Sequence, residues 1–193
     1  IKGCIEYFGG DSVTEAIIER LTGNSASDPS FTSIAFPYTG YYVMRSGWDS
    51  NADYMFFMGS RFGRGHVEMN KLDVTYSAFG DDILTSSPSS YSNDSTFAPY
   101  DRFLESSLGN NTISVDGYSQ RRLIGAYSDF SEPEESLWHT SDVLDYAEGT
   151  YSGGYNKYQG MWDERKKAAV DDVSHKRQVL VDKRNHIAVV CDS

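Results

Sequence analysis

Residues 65–72, Gly-His-Val-Glu-Met-Asn-Lys-Leu, carry the side chains of this chain that are best suited to chemistry. They place a histidine, a carboxylate and an amide at alternate positions: His66, Glu68 and Asn70. In an extended strand, residues two apart point to the same face, so these three groups would converge. A histidine can accept or donate a proton near neutral pH, so the pattern suggests a site. A polar, solvated strand face is the alternative.

The sequence around this segment predicts the sheets that would hold it. Residues 40–48 and 72–80 are strand-like, and from about Ser33 onward short apolar runs alternate with turn signals. With 14% aromatic residues, this pattern predicts a mainly β chain that forms an antiparallel β-sandwich. The predicted strands are 34–36, 41–44, 54–58, 72–78, 82–85, 112–115, 122–127, 141–147, 176–182 and 186–191.

A helix is predicted ahead of the strands, over residues 11–22. Ser12 and Glu15 fit a capping box, an apolar stripe follows, and Gly23 is suited to end the helix. The chain begins with Ile1 and not with Met, so we expect a processed or truncated N-terminus.

Charge and composition limit the partners. The formal net charge is −11, which argues against nucleic acid because phosphate binding needs a basic stripe. A polyanionic substrate would need local positive groups. No run of 18 apolar residues is present, so no membrane span is predicted. Cys4 and Cys191 could form one disulfide or remain two free thiols, and two cysteines are too few for a disulfide scaffold or a zinc cluster.

Several conspicuous residues have a structural interpretation. Trp48 is expected in the core and His175 in a structural role. His186 is expected to be an ordinary strand residue, and the basic pair 183–184 is expected in a solvated turn.

The order of several short fragments resembles that of the heparinase II/III-like polysaccharide lyases, which include heparinases and alginate and oligoalginate lyases. The resemblance covers roughly residues 33–190. Its fragments are 41–49, 65–66, 71–72, 111–117, 145–149 with Tyr151, and 175–177.

This resemblance implies a two-part architecture. Family members have an N-terminal (α/α) toroid followed by an antiparallel β-sandwich. Residues 1–32 would then be the end of the helical toroid domain and a linker, with a short N-terminal helix left from the toroid. Residues 33–193 would be the β-sandwich domain.

The chain departs from the family at positions that bind metal. The family pattern Gly-His-x-His-x-Asp-x-Leu has Glu68 and Asn70 here, and Ser86 and Asn110 stand where the family has an Asp and a His. In several members the positions of Glu68, Ser86 and Asn110 bind a structural zinc ion, which prefers His, Cys or carboxylate ligands. We therefore expect no metal and no cofactor, and a hydrogen-bonded network in which Glu68 accepts from Asn110. A calcium ion bound by carboxylate and amide oxygens is the alternative.

The first histidine of the pattern, His66, is retained. The resemblance implies that it lies in the cleft facing the toroid and takes part in β-elimination at a uronic acid. A base removes the C5 proton, the oxygen at C4 leaves, and the sugar carboxylate must be neutralised. His66 would transfer a proton or hold that carboxylate. The alternative is a structural histidine bonded to a backbone carbonyl.

Five further residues are predicted to bind substrate. Arg61 and Arg64 flank the site in a Gly-rich loop and could contact substrate carboxylates through paired hydrogen bonds, unless they are merely solvated. Tyr91 and Arg102 stand where the family places substrate-facing residues. Asn110 could face the cleft or fill the old metal position.

Together these features predict a polysaccharide lyase that cleaves a uronic-acid-containing polyanionic polysaccharide, alginate-like or a glycosaminoglycan. Its expected partners are that polysaccharide and an N-terminal helical toroid, with no nucleic acid and no membrane, and the oligomeric state is left open. The expected location is secreted or periplasmic. The alternatives are a non-catalytic carbohydrate-binding or scaffold domain, and a subunit that is active only with its helical partner.

Overall fold

A computed structural model describes residues 19, 23, 28–59, 68–87, 98–121, 137–157 and 168–193. The chain divides into two compact units, Ile1–Thr32 and Ser33–Ser193. In the first unit Glu19 is helical, and the rest of the helix predicted over residues 11–22 lies outside the described residues. All of the strands given below belong to the second unit.

The first sheet contains five antiparallel strands that lie side by side in chain order. The longest connection within this sheet joins the third strand to the fourth, over residues 59–72, and it contains His66. The strands are β1 (Ile34–Phe36), β2 (Tyr41–Arg45), β3 (Tyr54–Met58), β4 (Asp73–Ala78) and β5 (Asp81–Leu84).

A second antiparallel sheet has the spatial order β11-β10-β8-β7, and β6 pairs with β9 as a separate two-stranded ribbon. An α-helix, α1 (Ala98–Glu105), and a 3-10 helix (Ser107–Gly109) precede β6. The strands are β6 (Ser119–Gln120), β7 (Trp138–Thr140), β8 (Leu144–Tyr151), β9 (Tyr155–Asn156), β10 (His175–Asp182) and β11 (Ile187–Asp192).

The two larger sheets bury alternate residues against each other, as strands with one core face do. The sheets approach closely at Gly149 of β8, where a Cβ atom would lie 2.7 Å from Leu72 Cδ2 and 3.3 Å from Phe57 Cζ. A larger residue would have to push these packed side chains aside. The fully buried side chains of this core include Met44, Met55, Phe57, Leu72, Val179 and Val181.

The predicted fold class, a mainly β antiparallel sandwich, is confirmed. Two strands, β1 and β3, have the predicted bounds, and five more, β2, β4, β5, β10 and β11, differ by one residue at one or both ends. The strand predicted from residue 141 begins at Leu144, because the Ser141 hydroxyl accepts the Leu144 N–H (3.0 Å) in a turn. The strand predicted over residues 122–127 lies outside the described residues.

The strand predicted over residues 112–115 is wrong. Val115 makes only an isolated bridge to Tyr118 across a tight turn. The Asn111 side chain donates to the carbonyls of Val74 (2.9 Å) and Thr85 (3.1 Å). Side-chain hydrogen bonds, and not backbone bonds to a neighbouring strand, hold this stretch against the first sheet. The stretch therefore stays irregular.

The solvated turn predicted at residues 183–184 is wrong for Lys183, which is buried. Its ammonium lies 2.9 Å from the carboxylate of Asp145, whose side chain is 0% exposed. It also donates to the Ser141 carbonyl (2.8 Å), and Ser33 donates to the other oxygen of Asp145 (2.5 Å). One oxygen of the buried carboxylate is therefore paired with a cation, and the other accepts a hydrogen bond.

His186 does not lie in a strand, contrary to expectation. It occupies a turn with a φ of 55°, and its Nδ1 atom lies 3.1 Å from the buried carboxylate of Asp53. The Tyr76 hydroxyl donates to the other oxygen of Asp53 (3.2 Å), and burial first and this carboxylate second raise the pKa of Tyr76 to about 12. Asp53 thus links the turn after β10 to the start of β3.

We expect Lys183→Met to lower the free energy of unfolding by about 3–5 kcal/mol, because it leaves the Asp145 carboxylate buried without its cation. Urea denaturation measures the change. The control is Lys176→Met, since the Lys176–Glu148 pair is partly exposed and its loss should cost about 0–1 kcal/mol. Equal costs for the two variants would contradict the buried ion pair.

Candidate functional site

The structure describes some of the predicted site residues and not others. His66, Arg61, Arg64 and Tyr91 lie outside the described residues. Arg102 is exposed on α1. The described part of the candidate site therefore consists of helix α1 and the residues that follow His66 from Glu68 onward.

Asn110 is buried directly after the 3-10 helix. Its amide nitrogen donates to the carbonyls of Leu104 (3.0 Å) and Ser106 (2.8 Å), which lie at the C-terminal end of α1. These bonds satisfy carbonyls that the helix itself leaves without a partner. The amide oxygen of Asn110 is buried and, among the described residues, has no hydrogen-bond partner.

The predicted bond from Asn110 to Glu68 is wrong, because Asn110 donates to helix carbonyls instead. Glu68 accepts from the neighbouring Asn70 side chain (3.1 Å). The hydroxyl of Ser86 donates to Asp73. Burial raises the pKa of Asp73, and its bonds to Ser86 and to the Asn111 N–H oppose that change.

The residues at the family's zinc positions do not fit a zinc ion. A hydroxyl that donates to Asp73 and an amide whose nitrogen faces helix carbonyls are not the His, Cys or carboxylate ligands that zinc prefers. Over the described parts of the chain, no group of three or more His, Cys, Asp or Glu residues is placed to hold a metal ion.

A buried polar clamp holds the segment that follows His66. The Lys71 N–H donates to the Gln120 side-chain oxygen (2.8 Å), and the Gln120 side-chain nitrogen donates to the Lys71 carbonyl (2.8 Å). Ser107 donates to the Met69 carbonyl (2.6 Å), and the Met69 N–H donates to the Glu105 carbonyl (2.9 Å). The backbone of residues 69–71 is thereby fastened to α1, the 3-10 helix and β6.

This clamp brings the predicted elements together. Glu105 is the last residue of α1, the helix that carries Arg102, and Ser107 opens the 3-10 helix that Asn110 follows. Both helices therefore lie against the segment that begins two residues after His66. Sequence reasoning missed Gln120, since it pairs with a residue 49 positions away and stands in a two-residue strand.

On the other side of the segment, Arg177 joins the two sheets. Its Nη1 atom donates to the Leu72 carbonyl (2.7 Å) and to the Asn111 carbonyl, and its Nε and Nη2 atoms donate to Asp192 (2.7 and 2.9 Å). The Nε2 atom of buried His175 lies 2.7 Å from the same carboxylate. Arg177 holds the pKa of Asp192 below its usual value, and burial lowers the pKa of His175.

Several solved structures are similar to this chain, among them the following three. Heparan sulfate lyase HepC from Pedobacter heparinus is 18% identical with a TM-score of 0.67, over 95% of this chain and 25% of HepC. A heparinase III is 17% identical with a TM-score of 0.70, over 99% of this chain and 26% of the enzyme. Another heparinase III is 14% identical with a TM-score of 0.69, over 99% and 27%.

These likenesses show the fold. The antiparallel β-sandwich of this chain is similar in fold to a part of the heparinase III and HepC structures, and the chain spans about a quarter of their length. The resemblance seen in the sequence is thus confirmed at the level of the fold. No protein-family model and no curated protein matches the chain. Among the described residues, no helix is long and apolar enough to cross a membrane.

We expect Gln120→Met to loosen residues 69–71, because it leaves the buried Lys71 N–H without its side-chain acceptor, while the Lys71 carbonyl keeps the bond from the Thr112 hydroxyl (2.7 Å). The loss should be about 1–3 kcal/mol of unfolding free energy, with faster hydrogen exchange at the Lys71 amide. Gln178→Met, at a half-buried position on the outer face of β10, is the control. Unchanged exchange at Lys71 would refute the clamp.

Stability should fall as the pH drops from about 7.5 to 5.5, a window centred on the ordinary histidine pKa of about 6.5. Burial lowers the pKa of His175, so over this window the unfolded chain binds more protons than the folded chain. Because the pKa of Asp192 is also lowered, its contribution is lost only in more acidic solution. Urea denaturation across the pH range gives the slope.

Two variants, His175→Gln and His139→Gln, test whether His175 causes this dependence of stability on pH. The first removes the buried imidazole and should flatten the dependence of stability on pH. The second removes an exposed imidazole on β7 and should leave the dependence unchanged. If His175→Gln kept the slope of the natural chain, another group would be responsible.

Proposed function

We propose that this chain is the β-sandwich part of a polysaccharide lyase that cleaves a uronic-acid-containing polyanionic polysaccharide by β-elimination. The observation that carries the proposal is the likeness along 95–99% of the chain to proteins named heparan sulfate lyase and heparinase III. The substrate is alginate-like or a glycosaminoglycan.

In this reaction a base removes the proton at C5 of the uronic acid, and charge moves toward the neighbouring carboxylate. The bond from C4 to the glycosidic oxygen then breaks, a C4–C5 double bond forms, and the leaving oxygen takes up a proton. Neutralising the sugar carboxylate stabilises the charge that develops. His66 transfers a proton or holds this carboxylate, which an imidazole can do near neutral pH.

The remaining predicted residues bind the polymer. Arg61 and Arg64 provide guanidinium groups for carboxylates, and Tyr91 contacts the sugar. Arg102 is exposed on a helix whose last carbonyl accepts the Met69 N–H, which supports a position near the segment after His66. The amide oxygen of Asn110 has no partner among the described residues, and in this proposal it accepts a bond from a sugar hydroxyl.

The proposed enzyme works with an N-terminal helical toroid, which supplies the remaining catalytic groups, and it is secreted or periplasmic. A non-catalytic carbohydrate-binding domain is the second candidate, and the replaced metal positions at Ser86 and Asn110 favour it. The two candidates differ in one result, since only the lyase makes an unsaturated product.

The test is incubation of the full-length protein, with its helical toroid, with alginate, heparan sulfate and hyaluronan while the ultraviolet absorbance of unsaturated product is followed. His66→Ala should lower the rate by about 10²–10⁴-fold, the usual contribution of general acid–base catalysis. His139→Ala removes an exposed histidine of β7 and should not change the rate.

Two results would count against the lyase. A His66→Ala rate equal to that of His139→Ala would remove His66 from the chemistry. Polymer binding without any unsaturated product would favour the carbohydrate-binding domain.

A further inference from the structure

Trp48 is not part of the buried core described above, contrary to expectation. Its ring lies against the guanidinium of Arg45, with 4.5 Å from Arg45 Cζ to the ring centroid. The ring of Tyr54, opposite Arg45 on β3, lies 5.2 Å from the same atom. A cation held between two aromatic rings in this way is attracted to both.

The guanidinium of Arg45 is oriented but not neutralised. Its Nε–H donates to the Gly47 carbonyl (3.1 Å), which fixes the plane of the group. No carboxylate among the described residues is within ion-pair distance of it, and its Nη atoms are not among the buried polar atoms without partners. Asp49, in the same hairpin, accepts the N–H of Asn51 (2.9 Å). The two Nη groups therefore face solvent as an open fork of donors.

This arrangement contrasts with that of other basic side chains in the sandwich. Lys176 and Arg177 on β10, and buried Lys183 in the turn after it, are each matched with an acid, so their charge is used within the fold. The pairs are Lys176–Glu148, Arg177–Asp192 and Lys183–Asp145.

Arg45 also lies at one end of an aromatic sheet face. Tyr42 and Met44 point into the core, so Tyr41 and Arg45 point to the opposite face of β2. On that face the rings of Tyr41 and Phe56 contact each other, with 5.2 Å between centroids. From Arg45 and Tyr54 this face extends four residues, about 13 Å, to the end of β3 that leads toward His66.

We propose that Arg45, with Trp48 and Tyr54, is a subsite for an acidic sugar residue, separate from the segment that carries His66. The fork of Arg45 binds the sugar carboxylate through two hydrogen bonds, and the rings contact the C–H face of the sugar. Because the rings and Gly47 already hold the guanidinium, little side-chain freedom is lost on binding. This inference rests on the proposed function for its ligand class, an acidic polysaccharide.

The test is titration of the whole protein with an unsulfated uronate hexasaccharide, with a sulfated and a neutral hexasaccharide as separate arms. Calorimetry measures affinity, and the NMR signal of the Arg45 Nε–H reports on the site in the unaltered chain. We expect Arg45→Gln to weaken uronate binding at least about tenfold, with Arg45→Lys intermediate because it keeps the charge and loses the fork. Arg184→Gln removes the same charge from an exposed turn and should change affinity less than twofold.

The outcomes separate this inference from the proposed function. If Arg45→Gln binds the uronate as tightly as Arg184→Gln, or the Arg45 Nε–H signal does not shift, the subsite is refuted, whatever His66→Ala does to the lyase rate. If the unaltered chain binds no acidic hexasaccharide, or binds the neutral one equally well, the subsite and the acidic substrate class both fail. Tighter binding of the sulfated arm would reassign the subsite from carboxylate to sulfate.

Discussion

The buried guanidinium of Arg177 is the contact on which the arrangement of the two sheets depends. A charge taken out of water must be paired and hydrogen-bonded, or it destabilises the fold by several kcal/mol. Arg177, whose side chain is 6% exposed, meets this demand with Asp192 in its own sheet and with the Leu72 and Asn111 carbonyls outside it. Asp192, at the end of edge strand β11, therefore helps to position the second sheet against the first.

The two carbonyls to which Arg177 donates lie next to residues of the candidate site. Leu72 ends the connection that contains His66, and Asn111 follows Asn110. On the far side of the same connection, Gln120 pairs with both backbone groups of Lys71. In this chain both stretches are held by side chains that bond to backbone groups. Each such bond is modest, but leaving any of these buried groups unpaired is costly.

The sheets could be predicted from the sequence because their long strands bury one face, which produces a period of two. Short elements such as β6 and β9 have two residues each, too few to show a period. Helix α1 was missed because its aromatic residues Tyr100 and Phe103 are exposed and do not mark a buried stripe. Lys183 was misplaced because its burial depends on Asp145, which lies on another strand and cannot be matched to it by local pattern.

The charge of the protein restricts how it can recognise an acidic polymer. With a net charge of −11, this chain repels polyanions on average, and the basic groups of β10 are neutralised by acids of the same sheet. Salt limits such repulsion to about 8 Å at physiological ionic strength, so a single oriented guanidinium can act against it at contact. Under the proposed function, recognition would then depend on a few fixed groups such as Arg45 and exposed Arg102, and not on a basic surface. A polymer bound in this way meets positive charge only at separate points, so the spacing of its acidic sugars, more than its total charge, would decide which polymer binds.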